Sequence, residues 1–211
     1  MPRAQSPLAE ALAAVAGALG HLRVRWYVFG AQAAIVHGSA RLSADLDVTV
    51  ELAGISIDRL VDALAAAGCV PQVDDAAQFL AEARVLPLVH RKSRFPIDLV
   101  LSGLGLEGRY LASARVHTIG GVRAPVAPPE GLVVMKILAG RPQDLDDVRA
   151  ILAAKGKSLA LAQVRVELTE LEEALDRSDL VPTLDRLLKD AVAPRRKRAP
   201  TASRTRRRTK T

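Results

Sequence analysis

The triplet Asp45-Leu46-Asp47 opens a stretch of alternating residues that constrains this chain more than any other feature. Over residues 46–52, Leu46, Val48 and Val50 fall on one face, and Asp47, Thr49 and Glu51 on the other. That period of two predicts a β-strand. Asp45 and Asp47, two residues apart, project from the same side of it. Like charges held that close repel, and a cation between them would offset the repulsion. Oxygen-only ligands suit Mg²⁺ or Mn²⁺. Asp45 has a plainer reading as the cap of a turn.

A third carboxylate, Asp98, interrupts the apolar run 95–101. Burying an aspartate in a strand is costly unless it is paired or bound to metal. If that strand lies beside 46–52, then Asp45, Asp47 and Asp98 can converge on one or two ions.

The remaining elements follow from local signals. Ser6-Pro7 starts a helix reaching about Leu22. Residues 26–29 form a short strand stopped by Gly30, and 31–37 a helix. Residues 38–44 are a loop, and 57–67 an amphipathic helix ending at Gly68. Runs 83–90 and 95–101 form a hairpin around the charged turn 91–94. A second hairpin joins 116–119 to 122–126 through Gly120-Gly121. Helices are expected from Pro128-Pro129 to Ala139, from Pro142 to Ala154, and over 159–176 and 180–193. This order predicts an α/β (α+β) fold in which a mixed sheet packs with helices on one side. The expected organisation is a core over 1–155, C-terminal helices over 156–193 and a disordered basic tail over 194–211. There is no internal repeat.

Composition narrows the function classes. Of the 211 residues 49% are hydrophobic but only 3% aromatic, so the core is aliphatic and base-stacking platforms are disfavoured. Nine of the 30 Lys and Arg residues follow Pro194 with no acidic residue among them. Residues 1–193 therefore carry 21 basic against 23 acidic residues, and the net charge of +7 belongs to the tail. A tail of this kind neutralises phosphates without reading sequence, so RNA is its expected partner. The bland alternative is a solubilising segment. Cys69 is the only cysteine, which excludes an intrachain disulfide and an all-cysteine zinc site and fits a reducing, cytoplasmic setting. No apolar run reaches the length of a membrane span, and the N-terminus makes a poor signal peptide.

Other residues admit two readings. Gly30 and Ala31 sit at a strand-to-helix turn where a phosphate could approach backbone amides, or where the chain simply turns. Arg41 and Ser43 could hold triphosphate oxygens or belong to a solvated loop. His37 more often caps carbonyls or packs than reacts. His90 and His117 fall in strands without a visible partner, and Met135 reads as core.

The stretch Phe29-Gly30-Ala31, followed by Arg41-Leu42-Ser43-Ala44-Asp45-Leu46-Asp47-Val48, resembles the signature of the nucleotidyltransferase superfamily. The later segment, from Pro129-Glu130-Gly131-Leu132-Val133-Val134-Met135-Lys136 through Arg141-Pro142-Gln143-Asp144-Leu145-Asp146-Asp147-Val148, resembles its AbiEii-like abortive-infection toxin branch. The resemblance covers residues 24–155. It implies that Asp45, Asp47 and Asp98 hold metal, with Asp98 as ligand or general base, and that Gly30 forms the phosphate turn. It implies that Arg41 and Lys136 neutralise the triphosphate, and that Asp144 positions Lys136 or the acceptor. Without it, Arg141, Asp144 and Asp147 read as a surface network. The implied reaction moves a nucleotidyl group from NTP to an acceptor, here expected to be a tRNA 3′ end, as a toxin with a possible antitoxin partner. Two departures stand out: Gly30-Ala31 replaces the usual Gly-Gly or Gly-Ser, and Gln143 precedes Asp144 where a basic residue is usual. They keep open a non-catalytic nucleotide-, RNA- or protein-binding module on the same fold.

Overall fold

The computed structural model describes residues 6–103 and 105–192. The expected basic tail lies outside the described residues. Among the described residues, seven strands form one mixed sheet in the order β3-β4-β5-β2-β1-β7-β6. Its elements in chain order are α1 (Pro7–Leu22), β1 (Trp26–Val28), α2 (Gly30–Val36), β2 (Leu46–Val50), α3 (Ile57–Ala66), β3 (Cys69–Pro71) and α4 (Ala76–Ala83). They continue as β4 (Val85–His90), β5 (Pro96–Leu101), α5 (Leu106–Ser113), β6 (Arg115–Ile119), β7 (Val122–Val126), α6 (Pro129–Ala139), α7 (Pro142–Lys155), α8 (Leu161–Leu175) and α9 (Leu180–Val192).

Local chemistry accounts for most boundaries. Ser6 accepts a hydrogen bond from the Ala9 amide and Pro7 fills the first turn of α1. Gly140 closes α6 in the left-handed conformation. The β4–β5 hairpin turns through Arg94 at φ 57°, and β6–β7 through Gly120 and Gly121, both at positive φ.

Three elements depart from the sequence expectation. Strand β3 and helices α4 and α5 carry no strong periodic signal, being 3, 8 and 8 residues long. Ala83 ends α4 rather than starting a strand, because Asp75 caps that helix through the Gln78 amide and Arg84 terminates it at φ 59°. The helices also do not keep to one side. Val48, Thr49 and Val50 are consecutive and all buried, so β2 is covered on both faces. Leu168, Leu184 and Leu187 of α8 and α9 belong to the same buried cluster as Val48 and Leu99. No helix among the described residues is long and apolar enough to cross a membrane.

Strands β2 and β5 run parallel at the sheet centre, and their register sets Asp47 directly beside Asp98. Antiparallel β1 lies on the other side of β2 and delivers Gly30 to the same end of the sheet.

Candidate active site

The three aspartates line one cleft of about 240 Å³, together with Gly30 and Ala31 at the turn and with Arg41, Lys136, Arg141 and Asp144. Asp47 and Asp98 share the register of adjacent parallel strands, so their side chains leave the same face. Asp45 precedes β2 on that face. Its carboxylate accepts a hydrogen bond from Ser43 Oγ at 2.6 Å, and its carbonyl oxygen from the same hydroxyl at 3.2 Å. Ser43 thus orients Asp45 and is not among the residues lining the cleft.

Gly30 is required by sterics. It starts α2 at φ 62°, and a Cβ there would fall 1.7 Å from Asp47 Oδ2. The Phe29 amide donates to the Asp47 carbonyl at 3.0 Å, which ties the turn to β2. The Ala31 amide, at the start of the same helix, acts to lower the Asp47 carboxyl against the effect of burial. The turn therefore packs on the carboxylate, leaving backbone but no side chain at that wall.

Crowding shows in the electrostatics. Burial, then the charges of Asp45 and Asp98, push the Asp47 carboxyl up to about 6. Asp98 is raised in the same direction, by burial and then by Asp45. Like-charged oxygens gathered beside a glycine turn are the donor chemistry of a hard divalent cation. Among the described residues, no group of three His, Cys, Asp or Glu side chains stands drawn together as a metal cage. The donor set fits Mg²⁺ or Mn²⁺ in kind and in charge, with the carboxylates open to the cleft.

The opposite wall is basic and internally paired. Lys136 is only 5% exposed; its Nζ donates to Asp144 Oδ1 at 3.0 Å and to Asp147 Oδ2 at 2.7 Å. Arg141 Nε reaches Asp144 Oδ2 at 2.5 Å, and Arg41 reaches Asp147 Oδ2 at 3.3 Å. Ser39 Oγ donates to Asp147 Oδ1 at 2.7 Å. Three cations thus face two carboxylates within this cluster. Asp144 is subject to burial, which alone would raise its carboxyl, but hydrogen bonds from Arg141 and Lys136 hold it below the usual range. Arg141 is kept charged first by Asp144, and further by Asp47 and Asp45 across the cleft.

The plain reading of Arg141, Asp144 and Asp147 as a surface network is therefore corrected for the two aspartates, while Arg141 is exposed. Asp144 and Asp147 are 2% and 1% exposed, buried where α7 packs on α6. Asp147 and Ser39 are the residues that sequence reasoning left without a role. Asp147 had as its signal the spacing of three from Asp144, which a surface helix shows equally well, and Ser39 had none. His37 and His90 stand apart from the cleft: His37 Nε2 meets the Ala127 carbonyl at 2.8 Å, and His90 Nδ1 meets Ser93 Oγ at 2.7 Å.

Neither a protein-family model nor a curated protein matches the chain by sequence. Solved structures do match it by shape. The solution structure of the antibiotic-resistance factor ANT(2″)-Ia superposes with a TM-score of 0.54 at 12% identity, covering 79% of this chain and 91% of that one. A crystal structure of ANT(2″)-Ia with adenylyl-2″-tobramycin gives 0.52 at 13% identity, covering 78% and 96%. An antigenic nucleotidyltransferase-like protein from Paracoccidioides brasiliensis gives 0.50 at 15% identity, covering 85% and 92%. The fold is nucleotidyltransferase-like. At these identities the likeness speaks for architecture: a mixed sheet whose β2 and β5 bring the aspartates to one end of a nucleotidyltransferase-like core.

Proposed function

We propose that this protein is a metal-dependent nucleotidyltransferase that moves a nucleotidyl group from NTP to an acceptor, with an RNA 3′ hydroxyl, in particular that of tRNA, as the acceptor. The observation that carries the reading is the convergence of Asp45, Asp47 and Asp98 on one cleft against a glycine turn and a basic wall.

Each group has work to do in such a transfer. Asp45, Asp47 and Asp98 would hold Mg²⁺ or Mn²⁺. That ion supplies charge neutralisation at the phosphates and lowers the pKa of the attacking hydroxyl. Gly30 and Ala31 let triphosphate oxygens approach backbone. Arg41, Lys136 and Arg141 supply an excess of positive charge on the side where pyrophosphate leaves, and Asp144 and Asp147 fix the Lys136 ammonium in place. Where Asp45 and Asp47 alone hold the ion, Asp98 can instead accept the proton of the attacking hydroxyl. Phosphoryl-type transfer depends on this positioning and charge more than on covalent chemistry. The nine basic residues after Pro194 support an RNA acceptor, since they provide sequence-independent phosphate affinity. The toxin role and an antitoxin partner rest on the AbiEii-like resemblance of the Lys136 and Asp144 segment.

A specific observation favours a second reading, a nucleotide-binding module without catalysis. Lys136 is fully engaged by Asp144 and Asp147, and the three aspartates are not drawn into a closed cage. The test is incubation with Mg²⁺, each labelled NTP in turn and total tRNA, beside an Asp45→Ala/Asp47→Ala variant. Label entering RNA with the wild type alone supports transfer and names the nucleotide. Label on the protein itself moves the acceptor from RNA to protein. Binding of NTP with Mg²⁺ but no transfer supports the binding module.

A further inference from the structure

A second pocket, of about 390 Å³ and largely apolar through Val126, Ala127, Pro128 and Pro129, opens where α2 ends, α6 begins and α7 ends. Its wall holds His37, Ser113, Arg115, His117, Glu130 and Lys155. These are the helices that build the candidate active site, approached from their other ends: Gly30 and His37 bracket α2, and Asp144 and Lys155 lie on the first and last turns of α7.

His37 is the unusual member. It is 4% exposed, and its Nε2 lies 2.8 Å from the Ala127 carbonyl oxygen. A carbonyl can only accept, so Nε2 carries the hydrogen and Nδ1 presents a bare lone pair. That Nδ1 is buried without any hydrogen-bond partner. Leaving a buried acceptor unmet is costly. The neighbouring ring is His117, half-exposed on edge strand β6, 5.6 Å away and edge-to-face. His117 lines the same pocket as His37.

Arg115, Lys155 and Glu130 supply the charges around it. Arg115 and Lys155 make no ion pair among the described residues, whereas Glu130 is turned onto the Ala160 amide at 3.0 Å. Burial first, then the charges of Lys155 and His117, hold the His37 imidazole below its usual range, with Glu130 opposing them. Lys155 is thus close enough to act on the ring. The pocket needs an occupant that donates one hydrogen bond to Nδ1 and offers negative oxygens to Arg115 and Lys155. A hydrogen-phosphate group does both, because its P–OH donates while its remaining oxygens accept; with a second pKa near 6, an ester keeps part of that proton at slightly acid pH and loses it toward neutrality and above. Sulfate has the shape and the charge without the proton.

We propose that this pocket is a binding site for a hydrogen-phosphate group, free or carried by a small phosphomonoester, with His37 Nδ1 as the proton-reading acceptor and Arg115 and Lys155 as the anion contacts. The site is separate from the nucleotide cleft and stands whether or not nucleotidyl transfer occurs there.

The test is calorimetric titration of the full chain near pH 6.5 with inorganic phosphate, glycerol phosphate and sulfate, alongside ¹⁵N imidazole spectra, in which four histidines must be assigned. Phosphate is expected to bind at least tenfold more tightly than sulfate and to shift His37 Nδ1. Arg115→Ala/Lys155→Ala should weaken it at least tenfold. Comparing phosphate with glycerol phosphate tells a free ion from an ester. Lys155→Gln alone, at a helix end, serves if the double variant does not fold. Equal binding of sulfate with an unmoved His37 Nδ1, unchanged affinity in the variants, or displacement of phosphate by NTP would each overturn the assignment.

Discussion

Asp47 Oδ2 occupies the space that a side chain on Gly30 would need: a Cβ built there would lie 1.7 Å from it. The glycine and the carboxylate therefore form one unit, and Gly30 also sits at φ 62°, where other residues are strained. Gly30→Ala is expected to cost roughly 1–3 kcal/mol of stability and to displace Asp47. Thermal unfolding and Mg²⁺-dependent NTP binding should both register the change. A variant with unaltered stability and binding would show that the turn does not pack on Asp47.

The repulsion among the aspartates predicts a gain of stability from a lost charge. Because the Asp47 carboxyl is raised to about 6 in the fold from an ordinary 3.8, the stability it contributes is complete at low pH and lost as pH rises through about 6. At pH 8 Asp47→Asn should therefore stabilise the metal-free protein, by about 1–3 kcal/mol. The same substitution should remove the rise in melting temperature produced by Mg²⁺ with NTP. Destabilisation at pH 8 would contradict the account of the acidic wall.

Lys136 behaves as a buried countercharge for two carboxylates. Lys136→Met leaves Asp144 and Asp147 facing each other without it, at an expected cost of about 3–5 kcal/mol. In a double-mutant cycle, Lys136→Met and Asp147→Asn should be strongly non-additive. Additive effects would mean that the contacts at 2.7 and 3.0 Å carry no coupling.

Asp144 gives the opposite pH signature to Asp47. Its carboxyl lies below 3.8, so its contribution is fully present above the unfolded value and is lost as pH falls through the depressed one. The stability difference between wild type and Asp144→Asn should be constant above about pH 5 and shrink on acidification. Acid titration followed by circular dichroism checks this.

Much of this site was legible because strands advertise themselves by alternation. Asp45 and Asp47 could be placed on one face from Leu46, Val48 and Val50 alone, and Asp98 stood out against an apolar run. The conditional step, that the two strands are neighbours, is met by the parallel register of Asp47 and Asp98. Lys136 and Asp144 were placed on consecutive helices, and the tight turn at Gly140 folds those helices together. What was hidden depended on tertiary packing. Ser43 turned inward to Asp45, Asp147 was buried under Lys136, and Ser39 bonded a residue 108 positions away. No local pattern separates a buried carboxylate on a short polar helix from an exposed one. Strand β3 and helices α4 and α5 escaped for a related reason: each is too short for its period to show and is held by neighbours such as Leu80 in the core.

The central claim is nucleotidyl transfer, and the position of the label tests it most directly. The protein would be given Mg²⁺, tRNA and the preferred NTP labelled in parallel at the α- and the γ-phosphate. The account predicts that α-label becomes acid-precipitable with RNA while γ-label leaves as pyrophosphate, and that Asp45→Asn/Asp47→Asn abolishes both. Transfer of the γ-label, or NTP binding with no pyrophosphate released from any acceptor offered, would contradict it.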